Sequence, residues 1–270
     1  MIPRIIYVFW DGDMDVFTRA CFENIKRMNP SCKVVLLSSD TIENKPKNYD
    51  TLKTQAKSDW ARVEYISKTG GVWIDIHCVV LKPFESWVDF TSDAFHGFYI
   101  PFDCDVIESW AFAAPKNCPL VTQWKNEFKN AIELGFETYN QENEIPDCLK
   151  GELPYLTIHQ ALHVARKKVP DKKLKIMSST EKHMPYHLIS EYKWNSERFV
   201  NMLMKADVLD SIFIKLNGGI RGPINILNLQ PNASPTSHFE RVLHVRVGPN
   251  IKHVTFLIFV LLFLIALTYP

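Results

Sequence analysis

The sequence predicts an α/β domain with a mixed, mostly parallel sheet. Short β-rich runs at 5–10, 33–37 and 72–76 alternate with segments whose apolar residues recur at helical spacing. This alternation is typical of parallel strands that are joined by helices. Because the chain has 270 residues, of which 46% are hydrophobic, it is long enough for one core, and we expect a single domain at 1–250.

Helical periodicity and short runs of β-formers define the elements. In chain order, we predict a strand at 5–10, a helix over 16–28, a strand at 33–37, a helix over 56–66, strands at 72–76 and 79–81, and helices over 119–134 and 156–167. The helical segments repeat apolar residues near every 3.6 positions, whereas the strands are short runs of β-formers. Gly70-Gly71 ends the second helix, and the Gly-, Pro- and Asn-rich stretch 217–249 predicts loops and short strands.

Composition limits the partners of the chain. Lys and Arg total 31 against 30 Asp and Glu, so the formal charge is +1. No overall field attracts nucleic acid, and we expect no nucleic-acid partner. The six cysteines contain no C-x-x-C pair and do not cluster with histidine at zinc-ligand spacing. We expect reduced thiols, with a disulfide set in a secreted enzyme as the alternative.

Residues 254–269 form an uncharged apolar run. A membrane-spanning helix needs about 20 apolar residues and at least about 17, so this run is at the short limit. It has no polar face, which a helix that covers a soluble core normally keeps. A buried terminal helix or strand is the alternative. Since Arg246 and Lys252 precede the run and nothing basic follows it, we predict a C-terminal single-pass anchor at 251–270, with the main domain in the cytosol.

Polar side chains follow two of the predicted strands where open α/β sheets bind ligands, beyond the carboxyl ends of the strands. These segments are Asp11-Gly12-Asp13 and Asp75-Ile76-His77. On the helix before the second of them, Asp59 and Arg62 are three residues apart and share a face. Taken alone, this pair is more simply explained as an exposed ion pair of little energetic value.

A longer pattern gives these residues a family context. Residues 55–77 read QAKSDWARVEYISKTGGVWIDIH. This segment resembles the S-D-x-x-R and G-G-x-Y-x-D-x-D region of glycosyltransferases with a DXD sugar-binding motif, among them the capsular polysaccharide synthesis proteins and the initiating mannosyltransferases of yeast-type glycans. The opening IPRIIYVFWDG is similar to the start of the same families, and SWAFAAP at 109–115 is similar to a later stretch in the capsular group.

The resemblance implies a GT-A-like, Rossmann-related domain that binds a nucleotide-diphosphate sugar. It places Trp10, or Phe9 beside it, against the base, because an aromatic face recognises a planar ring at little entropic cost. Asp59 and Arg62 would contact the sugar and its diphosphate, for which the guanidinium fork is well shaped. Asp75 would hold the ribose, the sugar or a metal ion. All three are expected to act in catalysis.

Two further segments are candidates for donor binding. Gly71 belongs to the same G-G motif and is expected near the donor. Residues 218–223, GGIRGP, are compatible with a flexible backbone cradle for phosphate, in which Arg221 supplies the charge, and equally with a turn. Asp103-Cys104-Asp105 is a literal D-x-D, but it lacks the preceding G-G-x-W strand signature, so we interpret it as an acceptor-side or structural loop.

The motif departs from the family at one position, since His77 stands where the second aspartate is expected. Three interpretations follow: His77 is a metal ligand, His77 contacts phosphate directly, or the metal site is weakened. Imidazole suits Mn²⁺ better than Mg²⁺, so the first interpretation predicts a Mn²⁺ site at Asp75 and His77.

These features predict a metal-dependent, retaining hexosyltransferase. Its donor would be a nucleotide-diphosphate sugar, and its acceptor a hydroxyl of a glycan or a lipid-linked glycan. The alternative is a catalytically degenerate, membrane-anchored binder of nucleotide sugar or carbohydrate, in which His77 marks the loss of the metal.

Overall fold

A computed structural model describes residues 1–101, 106–169, 173–225, 227, 229–231 and 234–248. The strands are β1 (Ile5–Phe9), β2 (Lys33–Leu37), β3 (Gly71–Ile74), β4 (Cys78–Val80), β5 (Phe95–Tyr99), β6 (Ile107–Ala114), β7 (Leu174–Ser178), β8 (Phe213–Lys215), β9 (Leu229–Pro231) and β10 (Val245–Val247). The helices are α1 (Val16–Met28), α2 (Thr54–Thr69), α3 (Pro119–Leu134), α4 (Phe136–Glu142), α5 (Thr157–Lys168), α6 (His187–Glu191), α7 (Ser196–Leu203), α8 (Gly218–Asn225) and α9 (His238–Leu243).

The central sheet has the strand order β2-β1-β3-β6-β5-β7. Strand β1 runs parallel to β2 and to β3, and β5 runs parallel to β7. Only β6 is reversed, since it pairs antiparallel with both β3 and β5. The prediction of a mixed, mostly parallel α/β sheet is therefore confirmed. Small antiparallel pairs form between β4 and β8 and between β9 and β10.

Both faces of the sheet are covered. On β1, Ile6 and Val8 belong to one buried cluster, and Tyr7 and Phe9 belong to the other. Successive side chains of a strand point to opposite faces, so the two clusters lie on opposite sides of the sheet. Strands that are buried on both faces are apolar without interruption, which is why the run at 5–10 does not alternate with polar residues.

The predicted helices over 16–28 and 119–134 have these bounds in the structure. Helix α1 begins at Asp15, whose side chain accepts a hydrogen bond from the backbone N–H of Thr18 at 2.6 Å. This interaction satisfies one of the free donors at the helix N-terminus. Helix α2 ends at Gly70, which has a φ of 70° that a residue without Cβ adopts at little cost.

Two expectations are wrong. The stretch 217–249 contains the predicted short strands, β9 and β10, but 218–223 lies within helix α8, so it is neither a flexible cradle nor a turn. Helix α9 follows in the same region. Among the cysteines, Cys21, Cys32, Cys78 and Cys118 are free, but Cys148 is disulfide-bonded, so not all are reduced thiols.

The predicted anchor at 251–270 and the Asp103-Cys104-Asp105 segment lie outside the described residues. Within the part of the chain that is described, none of the helices has the length and apolar content needed to cross a bilayer.

Candidate active site

A cavity of about 400 Å³ opens at the carboxyl ends of β1 and β3. Its wall comes from the end of β1, helix α2, the end of β3 and the segment after it, strand β6, the start of α5 with the residues before it, Tyr186, and the stretch from β8 into α8. Asp59, Arg62, Asp75, His77 and Arg221 all line it. The sequence motif and the distant GGIRGP segment therefore meet at one site.

Arg62 is the centre of a buried network. One end of its guanidinium, Nη1, donates to Ser109 Oγ at 2.6 Å, and Nη2 lies 2.9 Å from Asp59 Oδ1 and 3.2 Å from Asp75 Oδ1. The group also lies over the Trp73 ring, 5.3 Å from its centroid. Only 5% of Arg62 is exposed, so the Asp59–Arg62 pair is not the surface ion pair that the spacing alone suggested. Its Nε is buried and has no hydrogen-bond partner.

Asp75 has cations at both carboxylate oxygens. Oδ1 accepts from Arg62 and from the indole Nε1 of Trp73, and Oδ2 accepts from Lys215 Nζ at 2.6 Å. Burial opposes ionisation of Asp75, but Lys215 and Arg62 outweigh it and lower the pKa of Asp75 below its ordinary value. Asp75 is therefore a carboxylate at neutral pH.

Asp59 behaves differently although it shares the same arginine. Burial raises the pKa of Asp59 from 3.8 to about 6, Arg62 opposes this shift, and the neighbouring charge of Asp75 adds to it. Arg62 therefore contacts two carboxylates, and Asp59 holds its proton more tightly than Asp75 does.

His77 is neutral and has hydrogen bonds at both ring nitrogens. Arg221 Nη1 lies 3.1 Å from Nδ1, and because a guanidinium can only donate, Nδ1 is the acceptor. Nε2 therefore carries the proton and donates to Thr18 Oγ1 at 3.1 Å. Burial, followed by the charges of Arg221 and Lys215, lowers the pKa of His77 to about 4. The ring also stacks on Phe17 at a centroid distance of 5.8 Å.

The residues present do not fit a divalent cation at Asp75 and His77. The carboxylate faces Lys215 and Arg62, and the imidazole nitrogen that lacks a proton faces Arg221. Across the described ranges, no three His, Cys, Asp or Glu side chains are placed to hold a metal ion. Hard divalent ions need several oxygen or nitrogen ligands, and ammonium and guanidinium groups supply none.

Two aromatic residues stand where the sequence placed base-stacking groups. Phe9, the last residue of β1, is 5% exposed, and Trp10 after it is partly exposed. Both line the cavity. The Trp10 ring meets His77 edge-on at 5.2 Å, and its Nε1 donates to the carbonyl of Asp13 at 3.3 Å. Trp10 presents more free surface to a planar ligand than Phe9 does.

Gly71 is not part of the cavity. It is the first residue of β3, at the end of the strand opposite to Asp75, and a Cβ there would lie 2.6 Å from the Ile5 carbonyl oxygen. The expectation that Gly71 contacts the donor therefore has no support, and its role is the close approach of β3 to β1.

The sequence matches a known protein family, and its fold resembles solved structures. Residues 2–216 match the family described as capsular polysaccharide synthesis protein. The chain belongs to this family. The family, together with the motif in α2 and β3, identifies the chain as a glycosyltransferase. No protein among the curated sequences matches it.

Three solved structures resemble this glycosyltransferase at low identity. One, described as a glycosyltransferase involved in the glycosylation of the major capsid of PBCV-1, is 15% identical, with 82% of this chain and 97% of that chain covered and a TM-score of 0.44. The PaToxG glycosyltransferase is 15% identical over 64% and 81% of the two chains, with a TM-score of 0.39. The apo form of GlyE from Streptococcus pneumoniae TIGR4 is 9% identical over 79% and 54%, with a TM-score of 0.44.

Sequence reasoning missed Lys215 in this glycosyltransferase. Lys215 is 140 residues from its partner Asp75 and ends the three-residue strand β8, whose register places it opposite Cys78. The one signal was a lysine inside the apolar run IFIKL, because a buried lysine needs an anionic partner. Trp110, in the SWAFAAP stretch, is buried and also lines the cavity, and its indole Nε1 has no hydrogen-bond partner.

Proposed function

We propose that this glycosyltransferase is of the GT-A type and transfers a hexosyl unit from a nucleotide-diphosphate sugar to a hydroxyl of a glycan or lipid-linked acceptor. The observation that supports this most directly is the Arg62 network at the mouth of the sheet, in a cavity that also offers the Trp10 ring. A planar base and an anionic diphosphate are complementary to these two features.

The proposed roles of the residues follow their positions. Trp10 stacks on the base, and Asp59 and Arg62 contact the sugar and the diphosphate. Asp75 orients Arg62 and Lys215, which it contacts through different oxygens. As the bond between sugar and diphosphate breaks, negative charge grows on the departing oxygen, and fixed cations that face it stabilise that charge.

We propose retention of the anomeric configuration, which the similarity to the DXD families favours. We also propose that residues 254–269 anchor the protein to a membrane, with the catalytic domain on the cytosolic side, because the run is uncharged and is preceded by basic residues. An acceptor carried on a lipid would then be close to the site.

A donor screen tests the proposed function. The full chain is heated with a panel of nucleoside diphosphates and their hexose conjugates, in separate series with EDTA, Mg²⁺ and Mn²⁺, and the unfolding midpoint is measured. A ligand that binds only the folded state raises this midpoint. We expect one base to stabilise the chain most, and the matching sugar nucleotide to be hydrolysed or transferred.

The alternative function, a degenerate binder, has a distinct outcome in the same screen. Arg62 Nε and Trp110 Nε1 are buried donors without a hydrogen-bond partner, and a polar ligand could accept from them whether or not it reacts. Stabilisation by a sugar nucleotide with no turnover, across glycan and lipid-linked acceptors, would support the binder and contradict the transferase.

A further inference from the structure

Each of the two residues that stand at the aspartate positions of the D-x-D motif contacts a cationic side chain. Lys215 contacts Asp75, and Arg221 contacts His77, the residue in place of the second aspartate. We propose that Lys215 and Arg221 replace the divalent cation, so that the site binds the diphosphate of its donor without a metal. This proposal rests on the proposed function for the identity of the donor.

Neither motif residue offers a free ligand atom of the kind that a metal needs. Asp75 already meets Lys215 and Arg62, one at each carboxylate oxygen. A divalent cation bound there would lie against two like charges. The repulsion would be strong, because Lys215 is only 9% exposed and water screens it poorly.

His77 has hydrogen-bond partners at both ring nitrogens. Its unprotonated nitrogen accepts from Arg221, and its other nitrogen faces Thr18. Metal binding at Nδ1 would require Arg221 to leave, and an aspartate at this position would instead form an ion pair with Arg221. The histidine therefore holds a cation in place without neutralising its charge.

The charges of the network also favour an anion. The network that includes Asp75 and His77 contains three cations, Arg62, Lys215 and Arg221, against the two carboxylates Asp59 and Asp75. This count leaves one positive charge without a metal. Asp11 and Glu108 also line the cavity, so this positive excess is local to the three cations and does not extend to the whole lining.

The two cations keep donors available for a ligand. A lysine ammonium has three N–H donors, and Asp75 accounts for one of them at Lys215. Arg221 has a buried Nε without a hydrogen-bond partner. Both residues line the cavity. Phosphate oxygens are acceptors of the matching kind, and charge-assisted bonds to them are short and strong.

The test uses inorganic pyrophosphate as the probe and the full chain as the protein. Isothermal titration calorimetry is performed in EDTA, and then in Mn²⁺, with the wild type and with Lys215→Met and Arg221→Met. We expect pyrophosphate to bind the wild type in EDTA, and each substitution to weaken binding by at least about 10-fold, as expected for the loss of a charge-assisted bond.

Matched controls distinguish binding of pyrophosphate in the cavity from its general attraction to surface charge. Lys175→Met and Arg198→Met remove the same charges from exposed positions outside the cavity, and we expect both to bind pyrophosphate like the wild type. If Lys215→Met fails to fold, Arg221→Met and the charge-conserving Arg221→Lys replace it, since Arg221 is partly exposed. Arg221→Lys should recover part of the affinity that Arg221→Met loses.

Three results would overturn the proposal. Pyrophosphate could bind only with Mn²⁺, it could bind neither in EDTA nor with Mn²⁺, or both cavity substitutions could leave binding in EDTA unchanged. The proposed function fails separately. A nucleoside diphosphate that binds only with Mn²⁺ would keep the function and remove this inference. If pyrophosphate binds in EDTA but no nucleotide or sugar nucleotide binds, the metal-independent anion site is supported and the proposed function is contradicted.

Discussion

Arg62 is the residue that connects most of the site. It contacts Ser109, Asp59 and Asp75 with one planar group, and it lies over the Trp73 ring. A lysine keeps the charge but cannot make these contacts together. We therefore expect Arg62→Lys to lower the free energy of unfolding by about 2 kcal/mol, since it leaves buried polar groups without partners. Urea denaturation measures this change.

Arg4→Lys is the matched control for Arg62→Lys. Arg4 pairs with Glu85 at an exposed position, and such pairs contribute at most about 1 kcal/mol. If the two substitutions lowered the free energy of unfolding equally, the Arg62 network would have no special structural role. Donor binding by Arg62→Lys should also weaken, whereas Arg4→Lys should bind the donor normally.

His77 makes stability depend on pH. Its pKa is lowered from 6.5 to about 4, so between these values the unfolded chain takes up a proton that the folded chain does not. Above pH 6.5 the group has no effect on stability, and as the pH falls toward 4 the folded state loses on the order of 3 kcal/mol relative to the unfolded state. His77→Gln lacks this loss, so its stability should fall less steeply over this range, as measured by urea midpoints.

The raised pKa of Asp59 acts in the opposite direction over part of the same range, since the folded chain keeps that proton up to about pH 6. Both proteins contain Asp59, so the difference between them isolates His77. Parallel stability curves for the two proteins, or an NMR titration midpoint of His77 near 6.5, would contradict the assignment of His77 as a buried neutral ring.

The sequence could predict the part of the site that is local in the chain. Asp59 and Arg62 lie on α2, and Asp75 directly follows β3, the next strand in the chain, so their meeting follows from the motif and from the strand order. Lys215 could not be placed in this way. Its contact with Asp75 depends on the pairing of β4 with β8, two three-residue strands that are far apart in the chain and carry no strong pattern.

Among the helices, hydrophobic periodicity is sufficient to predict those with one strongly apolar face, but it does not predict α8. Helix α8 contains Gly218, Gly219, Gly222 and Pro223, residues that disfavour helices. Ile220 and Ile224 are nevertheless completely buried in the core. Tertiary packing thus overrides local propensity, and the same helix carries Arg221 into the cavity.

Strand β3 depends on Gly71 in a way that the motif alone does not explain. Its φ is 114°, and a Cβ would lie 2.6 Å from the carbonyl oxygen of Ile5 on the neighbouring strand. Gly71→Ala would strain the backbone and push β3 away from β1. We expect the free energy of unfolding to fall by about 2–4 kcal/mol, as measured by chemical denaturation.

Gly151→Ala is the control, because a Cβ at that position meets no heavy atom within 4 Å. It should change the free energy of unfolding by less than about 0.5 kcal/mol, as is usual for surface substitutions. Equal stability of the two variants would show that β3 can shift away from β1 without cost. In that case the glycine would not be needed for the close approach of the strands.

For the whole molecule, the site is complete only when distant parts of the chain come together. The family match ends at residue 216, so it includes Lys215 but not Arg221. Helix α8, which follows, supplies that arginine, and α9 packs against α1, where Phe239 lies 6.4 Å from Phe17 between ring centroids. Phe17 in turn stacks on His77, so the C-terminal part of the described chain packs behind a residue that lines the cavity.

The described fold ends at Gly248, and this position separates the site from the predicted anchor. A chain that stops there retains every residue of the cavity, including Arg221. We therefore expect it to bind pyrophosphate as the full chain does and to stay unbound in flotation with neutral phosphatidylcholine vesicles. The full chain should float with them, because residues 254–269 add 16 uncharged residues, close to the length that spans a bilayer.

Neutral vesicles exclude attraction between basic residues and anionic lipids, and high salt should leave flotation of the full chain unchanged, since burial of apolar surface is not screened. Equal flotation of the two chains would contradict the anchor and place membrane affinity in the catalytic domain. Loss of pyrophosphate binding in the shorter chain, with its unfolding midpoint preserved, would mean that the segment after Gly248 takes part in the donor site.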